Sequence, residues 1–149
     1  MLGSLARWLR IGGVDSEYMK DTDDDLLIEE ATRDGLVLLT RDEELARRAR
    51  KRGVDSFYVP PGSDAEALRV VASKYSLSLD PARSRCPKCN GVLRRVGRDE
   101  VEGLVPEGTF RNFSEFWRCE MCGGVYWRGS HWAKISETIV AARPRDRES

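Results

Sequence analysis

The residues best suited to chemistry in this chain are its four cysteines, which form two Cys-x-x-Cys pairs. The first pair is Cys86 and Cys89, and the second is Cys119 and Cys122. A tight Cys-x-x-Cys turn aims two sulfurs at one point, and two such turns complete the tetrahedral thiolate shell of a structural Zn²⁺ site. The spacing therefore predicts a zinc ribbon. Two disulfides or four unrelated thiols are the alternatives.

Acidic residues in the cysteine-free half form a second candidate site. Asp42 follows the apolar run 36–40, and Asp24 and Asp25 belong to an acidic run. If the apolar run is a parallel strand, Asp42 lies at its carboxyl end, where such sheets place their sites. Carboxylates without a nearby histidine suit Mg²⁺ or Mn²⁺, which can activate water for attack on phosphate. Each acid could instead cap a helix, because carboxylates stabilise helix N-termini.

Composition is that of a globular protein without an evident electrostatic partner. The chain has 149 residues, 34 % of them charged, and its formal net charge is zero. This length suits one ordinary domain or two small ones. No apolar run approaches the roughly 18 residues of a membrane helix, and no signal peptide is visible. Together with the thiols, which suit a reducing compartment, these features predict a cytoplasmic protein.

The cysteine-free half alternates helical stripes with short apolar runs. Strands are predicted over 15–19, 36–40 and 56–59, and helices over 43–51, from Ser63 or Asp64 onward, and along the stripe Leu2, Leu5, Ala6 and Leu9. The run 36–40 is apolar without alternation, which is typical of a strand covered on both faces. Strands that alternate with helices of this length predict a parallel α/β sheet with flanking helices.

The cysteine-containing half combines short strand patterns with aromatic and basic residues. Strands are predicted over 91–96 and 125–127, and a terminal helix over 134–142. Aromatic side chains beside Arg94 and Arg128 could stack on unpaired bases, or they could fill a small core. We favour the core for Phe113 and Trp117. His131, the only histidine, is expected to order its segment rather than to bind zinc or catalyse.

A resemblance to a known family joins these motifs. Segments 2–10 (LGSLARWLR), 38–42 (LLTRD) and 126–132 (YWRGSHW), with the two cysteine pairs, resemble the Mut-seven C-terminal RNase domain family over residues 1 to about 140. The resemblance implies a PIN-like α/β nuclease domain followed by a zinc ribbon, and a metal-dependent ribonuclease activity. It also implies that Asp42, and with it Asp24, is a metal-binding acid.

The chain departs from the family pattern at its beginning. Family members open with a strand that ends in an aspartate, whereas this chain begins with Met1 in the turn that follows such a strand. We expect either that the start site is misassigned, which we favour, or that the sheet is truncated. In this form the chain is expected to bind Mg²⁺ or Mn²⁺ poorly and to cleave RNA slowly or not at all.

The sequence leads to the following expectations for domains, function and site residues. We expect a PIN-like domain over 1–80 without its first strand, a zinc ribbon over 81–142 that unfolds alone when a cysteine is lost, and a disordered tail over 143–149. The expected function is that of an endoribonuclease in the full-length form, or alternatively that of a non-catalytic RNA- or protein-binding module. The expected catalytic acids for Mg²⁺ or Mn²⁺ are Asp42, Asp24 and Asp25. The expected RNA contacts are Arg41, Arg48, Lys51, Arg94 and Arg128, although Arg48 and Lys51 could simply lie on a solvated helix face.

Overall fold

The computed structural model describes residues 2–144 as a mixed α/β structure with two small sheets. Its helices are α1 Leu2–Ile11, α2 Asp24–Asp34, α3 Glu43–Lys51, α4 Asp64–Tyr75, α5 Arg98–Val101, α6 Glu107–Asn112 and α7 Trp132–Ala141, with a 3-10 turn at Pro81–Arg83. Its strands are β1 Leu38–Thr40, β2 Ser56–Tyr58, β3 Leu93–Val96, β4 Phe116–Cys119 and β5 Val125–Tyr126. Within residues 2–144, no helix has the length and apolar character needed to cross a membrane.

The first sheet is a parallel pair joined by α3. Strands β1 and β2 pair with Leu38 opposite Ser56 and Thr40 opposite Tyr58. The hydroxyl of Ser56 donates to the carbonyl of Ala46, 2.6 Å away, which holds α3 against the pair. This β–α–β unit confirms the predicted parallel pairing of the two apolar runs. The core beside it is built from α1 and α4, where Leu5 and Leu68 are 2 % and 0 % exposed.

Two details of the predicted sheet are wrong. Segment 15–19 is not a strand, because it makes no ladder; instead the backbone N–H of Ser16 donates to Asn90 Oδ1 at 3.0 Å. The run 36–40 is not covered on both faces either. Leu36 and Val37 are each 43 % exposed, and the strand begins only at Leu38. Within residues 2–144, β1 pairs with β2 alone, so segment 15–19 does not extend this sheet.

The second sheet is antiparallel, with strand order β3-β4-β5. Its small core consists of Val96, Val101 and Phe116, and Phe113 packs against it as predicted. The predicted strand 91–96 begins at Leu93, and the aromatic segment 110–117 divides between the end of α6 and the start of β4. Trp117 is not part of this core. It is half-buried and lies in a separate pocket.

Helix α7 joins the second half of the chain to the core of the first. Ile139 and Ala142 are 0 % and 3 % exposed and belong to the same apolar cluster as Leu5 and Leu68. Arg143 Nε donates to the carbonyl of Leu79 at 2.7 Å, so this residue of the predicted tail is bound. The rest of that prediction, residues 145–149, lies outside the described residues.

Candidate metal centre and acidic residues

The four cysteine sulfurs converge on one point. All four Sγ atoms lie within 4.8 Å of one another, with 3.7 Å between Cys86 and Cys122 and 3.4 Å between Cys89 and Cys119. A tetrahedral site with Zn–S bonds of about 2.3 Å has S···S edges of about 3.8 Å. All four cysteines are free rather than disulfide-bonded. The cluster therefore has the donor set and the dimensions to hold a metal ion such as zinc.

Two turns of the same shape build this cluster. In the first turn, Cys86 N donates to Gly91 O at 2.9 Å, and Asn90 N donates to Cys86 O at 2.8 Å. The second turn repeats both bonds, from Cys119 N to Gly124 O at 2.9 Å and from Gly123 N to Cys119 O at 3.1 Å. Equivalent positions, Asn90 and Gly123, have φ of 71° and 75°. Glycine and asparagine are the residues that adopt this left-handed conformation most readily.

Hydrogen bonds within the second turn prepare a sulfur for metal binding. The backbone N–H groups of Met121 and Cys122 both donate to Cys119 Sγ at 3.4 Å. Burial raises the pKa of Cys119, but these backbone hydrogen bonds, together with those from the Cys89 and Cys122 thiols, lower the pKa to about 6. At Cys89 the Gly91 N–H lowers the pKa, but hydrogen bonds with the other three cysteine sulfurs, together with burial, raise it to about 12. Sulfurs this close cannot all ionise unless a cation compensates their charge, so the cluster favours a bound metal.

Side chains of the first half hold the first turn in place. Arg10 is only 8 % exposed; its Nε donates to Ser16 O at 2.7 Å and its Nη1 to Pro87 O at 2.9 Å. Asn90 Nδ2 donates to Asp15 Oδ1 at 2.6 Å. Arg10 and Asn90 are both buried, and a buried polar group costs stability unless it is hydrogen-bonded. These contacts therefore stabilise the arrangement of the first turn against the first half. The metal centre is therefore positioned by both halves of the chain.

Gly91 is required by the metal centre although it is not a ligand. A Cβ at this position would lie 2.7 Å from Cys119 Sγ and 3.1 Å from Met121 Cβ. We expect Gly91→Ala to weaken zinc binding about 10- to 100-fold, the range typical of changes to residues that support metal ligands. Competition with a chromophoric chelator measures this. Gly108→Ala is the control, because nothing lies within 4 Å of its added Cβ. Equal zinc affinity in the two variants would contradict the expectation.

Asp42 caps α3, as one of the two sequence interpretations proposes. Its Oδ1 accepts hydrogen bonds from the N–H groups of Glu44 at 3.0 Å and Leu45 at 3.2 Å. Both bonds end on Oδ1, so Oδ2 has no hydrogen-bond donor among the described residues. Asp42 is exposed and follows β1 at its carboxyl end. The cap does not use the whole carboxylate, and Oδ2 remains available to a ligand.

Asp24 and Asp25 are engaged by arginines of the neighbouring helix. Arg48 lies 3.4 Å from Asp24 Oδ2 and 2.7 Å from Asp25 Oδ1, and Arg52 lies 3.3 Å from Asp25 Oδ1. The paired side chains are 41–57 % exposed, so each pair contributes at most about 1 kcal/mol. In the part of the chain that the structure describes, the cysteines are the only group of three or more candidate ligands that converges. Asp42 does not join Asp24 and Asp25 in such a group.

The side chains expected to contact RNA differ in whether they already make ion pairs or hydrogen bonds within the protein. Arg48 is held by the two aspartates, and Arg94 lies 3.6 Å from Glu100. Arg41 donates from Nη2 to Gly62 O at 3.5 Å, while its buried Nε has no partner in residues 2–144. Lys51 and Arg128 belong to none of the ion pairs among those residues. These two side chains and Arg41 therefore keep donors for a ligand.

Among the residues that position the cysteine cluster, Arg10, Asn90, Gly91 and Tyr126 were not identified from the sequence. Asn90 and Gly91 directly follow the first cysteine pair, and an Asn-Gly step is a turn signal that could have identified them. The hydroxyl of Tyr126 lies 3.1 Å from Cys86 Sγ. Burial raises the pKa of Tyr126, and the Cys86 contact raises it further. No local pattern indicates this contact, since 40 residues separate its partners.

Comparison with known proteins identifies the family. A family model described as the Mut7-C RNAse domain matches residues 1–139, which is nearly the whole chain and includes both cysteine pairs. None of the curated proteins and none of the solved structures that were searched matches it. The family match extends across the α/β half, the cysteine cluster and most of α7. The chain therefore belongs to the Mut7-C RNAse domain family.

Proposed function

We propose that this protein is a metal-dependent endoribonuclease that hydrolyses phosphodiester bonds of RNA. The observation that carries the proposal is the match to an RNAse domain family over residues 1–139. In this proposal the α/β half is a PIN-like nuclease domain, roughly residues 1–80. The cysteine cluster, in residues 81–142, holds a structural Zn²⁺ in a ribbon that helps to bind RNA. Free cysteines also favour a cytoplasmic location, because they persist best in a reducing compartment.

Asp42 is the acid best placed for the reaction. It is exposed at the carboxyl end of β1, and its Oδ2 is not used by the helix cap. Mg²⁺ and Mn²⁺ are commonly held by one or two carboxylates together with substrate phosphates. When bound there, such an ion would activate water and stabilise charge on the phosphate. Asp24 and Asp25 are less suited to hold the ion, because Arg48 and Arg52 already compensate their charge.

Arg41 fits the second requirement of the reaction, which is a cation for the RNA phosphate. It immediately precedes Asp42, and its buried Nε has no hydrogen-bond partner among the described residues. The terminal nitrogens of its guanidinium make a single hydrogen bond among the described residues, from Nη2 to Gly62 O at 3.5 Å, and a guanidinium pairs well with a phosphate. A phosphate oxygen bound by Arg41 would bring the scissile phosphate next to Asp42. These two residues therefore form the proposed reaction site.

A circular single-stranded RNA tests the proposed activity. The zinc-loaded protein is incubated with the circle in the presence of added Mn²⁺, of added Mg²⁺, or of neither ion. We expect slow conversion of the circle to a linear product only when one of these ions is present. A linear product requires an internal cut, so an exonuclease contaminant cannot produce it. No product in any condition, with the RNA bound, would refute the endoribonuclease.

The second candidate is a non-catalytic RNA-binding module. The specific observation in its favour is that all three expected acids are engaged, Asp42 in a helix cap and the other two in ion pairs. Such a module would retain RNA through cationic side chains and leave the circle intact. The same incubation therefore separates the two candidates, because binding and linear product are measured in one sample.

A separate prediction concerns RNA binding by the basic C-terminal end of α3. Lys51 lies at this end and has no ion pair in residues 2–144, whereas Arg48 is engaged by two aspartates. We expect Lys51→Gln to reduce the slope of log affinity against log salt by about one, as loss of one phosphate contact does. Lys74→Gln is the matched control, because Lys74 is an exposed lysine in the last turn of α4. Equal slopes for the two variants would assign Lys51 to a solvated helix face.

A further inference from the structure

A pocket on the ribbon is lined by most of the tryptophans of the chain. Its volume is about 350 Å³, and it lies between the antiparallel sheet, the start of α7 and the 3-10 turn. Trp117, Trp127 and Trp132 line it together with Tyr126, whereas Trp8, the fourth tryptophan, packs on the core of the first half. The three pocket tryptophans are half-buried, so part of each side chain is accessible to a ligand. None of the acids of the proposed reaction site lines this pocket.

Cationic side chains border the aromatic rings. The guanidinium carbon of Arg128 lies 4.8 Å from the ring centroid of Trp117 and 5.2 Å from that of Trp132. Arg128 takes part in none of the ion pairs among residues 2–144. Arg83 and Arg85 also line the pocket, and no aspartate or glutamate of residues 2–144 does. Of these, Arg85 donates from Nε to Asn90 O, whereas the Arg83 side chain is 80 % exposed and only loosely paired with Asp80, 3.9 Å away. The pocket is thus aromatic inside and positively charged at its rim.

We propose that this pocket binds an unpaired base of single-stranded RNA, with the neighbouring phosphates on Arg128 and Arg83. Tryptophan faces stack with any base, and guanidinium groups pair with phosphates. A peptide segment would satisfy the apolar walls, but it lacks the regular negative charge that the arginine rim complements. Bases in a duplex are stacked and paired, so a double strand presents only its backbone. This proposal depends on the proposed function in one respect, which is that the ligand is RNA.

Tryptophan fluorescence and binding isotherms test the proposal. The zinc-loaded full chain is titrated with an oligouridine hexamer without added Mg²⁺ or Mn²⁺, so that no cleavage occurs. We expect the hexamer to quench the tryptophan emission, and a duplex RNA of equal length to bind more weakly. Trp132→Leu, which keeps apolar volume but removes the ring face, should weaken hexamer binding about tenfold. Trp132→Phe should restore most of that loss, because phenylalanine also offers a face for stacking.

A second arginine–aromatic pair on the ribbon provides the matched controls. Arg98 lies over the Phe110 ring at 4.4 Å, and neither residue lines the pocket. Phe110→Leu should leave hexamer affinity unchanged. Arg128→Gln should lower the salt slope of binding by about one, and Arg98→Gln should not. Unchanged affinity in Trp132→Leu would overturn the proposal and would leave the pocket to a protein partner. An unchanged slope in Arg128→Gln would overturn the phosphate contact assigned to Arg128.

The binding test and the cleavage test fail independently. If Trp132→Leu weakens hexamer binding while no Mn²⁺-dependent cleavage is found, the base pocket stands and the nuclease does not. If the circle is cleaved and Trp132→Leu binds the hexamer as the parent chain does, the pocket proposal is refuted and the nuclease remains.

Discussion

Cys86→Ser is expected to unfold both halves of the chain in a single transition. Loss of one ligand removes most of the metal-binding free energy, which is about 10–16 kcal/mol for structural zinc sites and comparable to the stability of a whole domain. We expect the first half to unfold as well, because it is bonded to and packed against the second half. Arg10 and Asn90 bond across the two halves, and Ile139 of α7 lies in the core beside Leu5. This expectation replaces our sequence-based one, in which only the ribbon unfolds.

Backbone amide hydrogen exchange resolves the two outcomes by region. In the Cys86→Ser protein, amides of α1 and α4 should exchange as fast as those of β3 and β4. Met121→Ser is the control, because Met121 lies between two ligands of the second turn and is 77 % exposed. It should keep its zinc and its protection. Persistent protection of α1 and α4 in Cys86→Ser, with the ribbon fully exchanged, would show that the first half folds alone.

Asp42→Asn is expected to reduce Mn²⁺-dependent RNA cleavage at least about a hundredfold, because a catalytic metal is worth several kcal/mol of transition-state stabilisation. The free energy of unfolding should change little. Asparagine caps helices about as well as aspartate, and its side-chain oxygen can accept the bonds from Glu44 and Leu45. Asp42→Ala should lose the activity and, in addition, about 1 kcal/mol of stability.

Glu43→Gln controls for charge near the reaction site. Glu43 is an exposed acid directly after Asp42, in the first turn of α3, and accepts no cap bond. Its neutralisation should leave cleavage within about twofold of the parent chain, since it removes the same charge without removing the proposed ligand. A similar loss in Glu43→Gln and Asp42→Asn would show that general charge, rather than metal ligation, explains the effect.

The convergence of the four cysteines was predictable because its signal is local. Each Cys-x-x-Cys pair places two sulfurs within one turn, and the only long-range requirement is that two turns meet. The amphipathic stripe of α1 was predictable for the same reason, since residues at i, i+3 and i+4 share a helix face. Leu5 and Leu9 are indeed buried, at 2 % and 4 % exposure.

The parts that failed depend on contacts between distant residues. Segment 15–19 has a strand pattern, but Asp15 and Ser16 bond to Asn90, which lies about 75 residues away. Likewise, nothing near Asp25 in the sequence shows that Arg48 and Arg52 neutralise it. Spacing alone left capping and metal binding open for Asp42, and the geometry shows the cap without removing the second possibility.

The role proposed for Asp42 is tested most directly by the rate at which circular single-stranded RNA becomes linear. This rate is compared between the parent chain and Asp42→Asn. Both proteins should carry one zinc ion per chain, so that folding and RNA binding are matched. We expect the parent chain to cleave the circle slowly and only with added Mn²⁺ or Mg²⁺. We expect no cleavage above background by Asp42→Asn. Equal rates in the two proteins, or no metal-dependent product from the parent chain, would contradict the role proposed for Asp42.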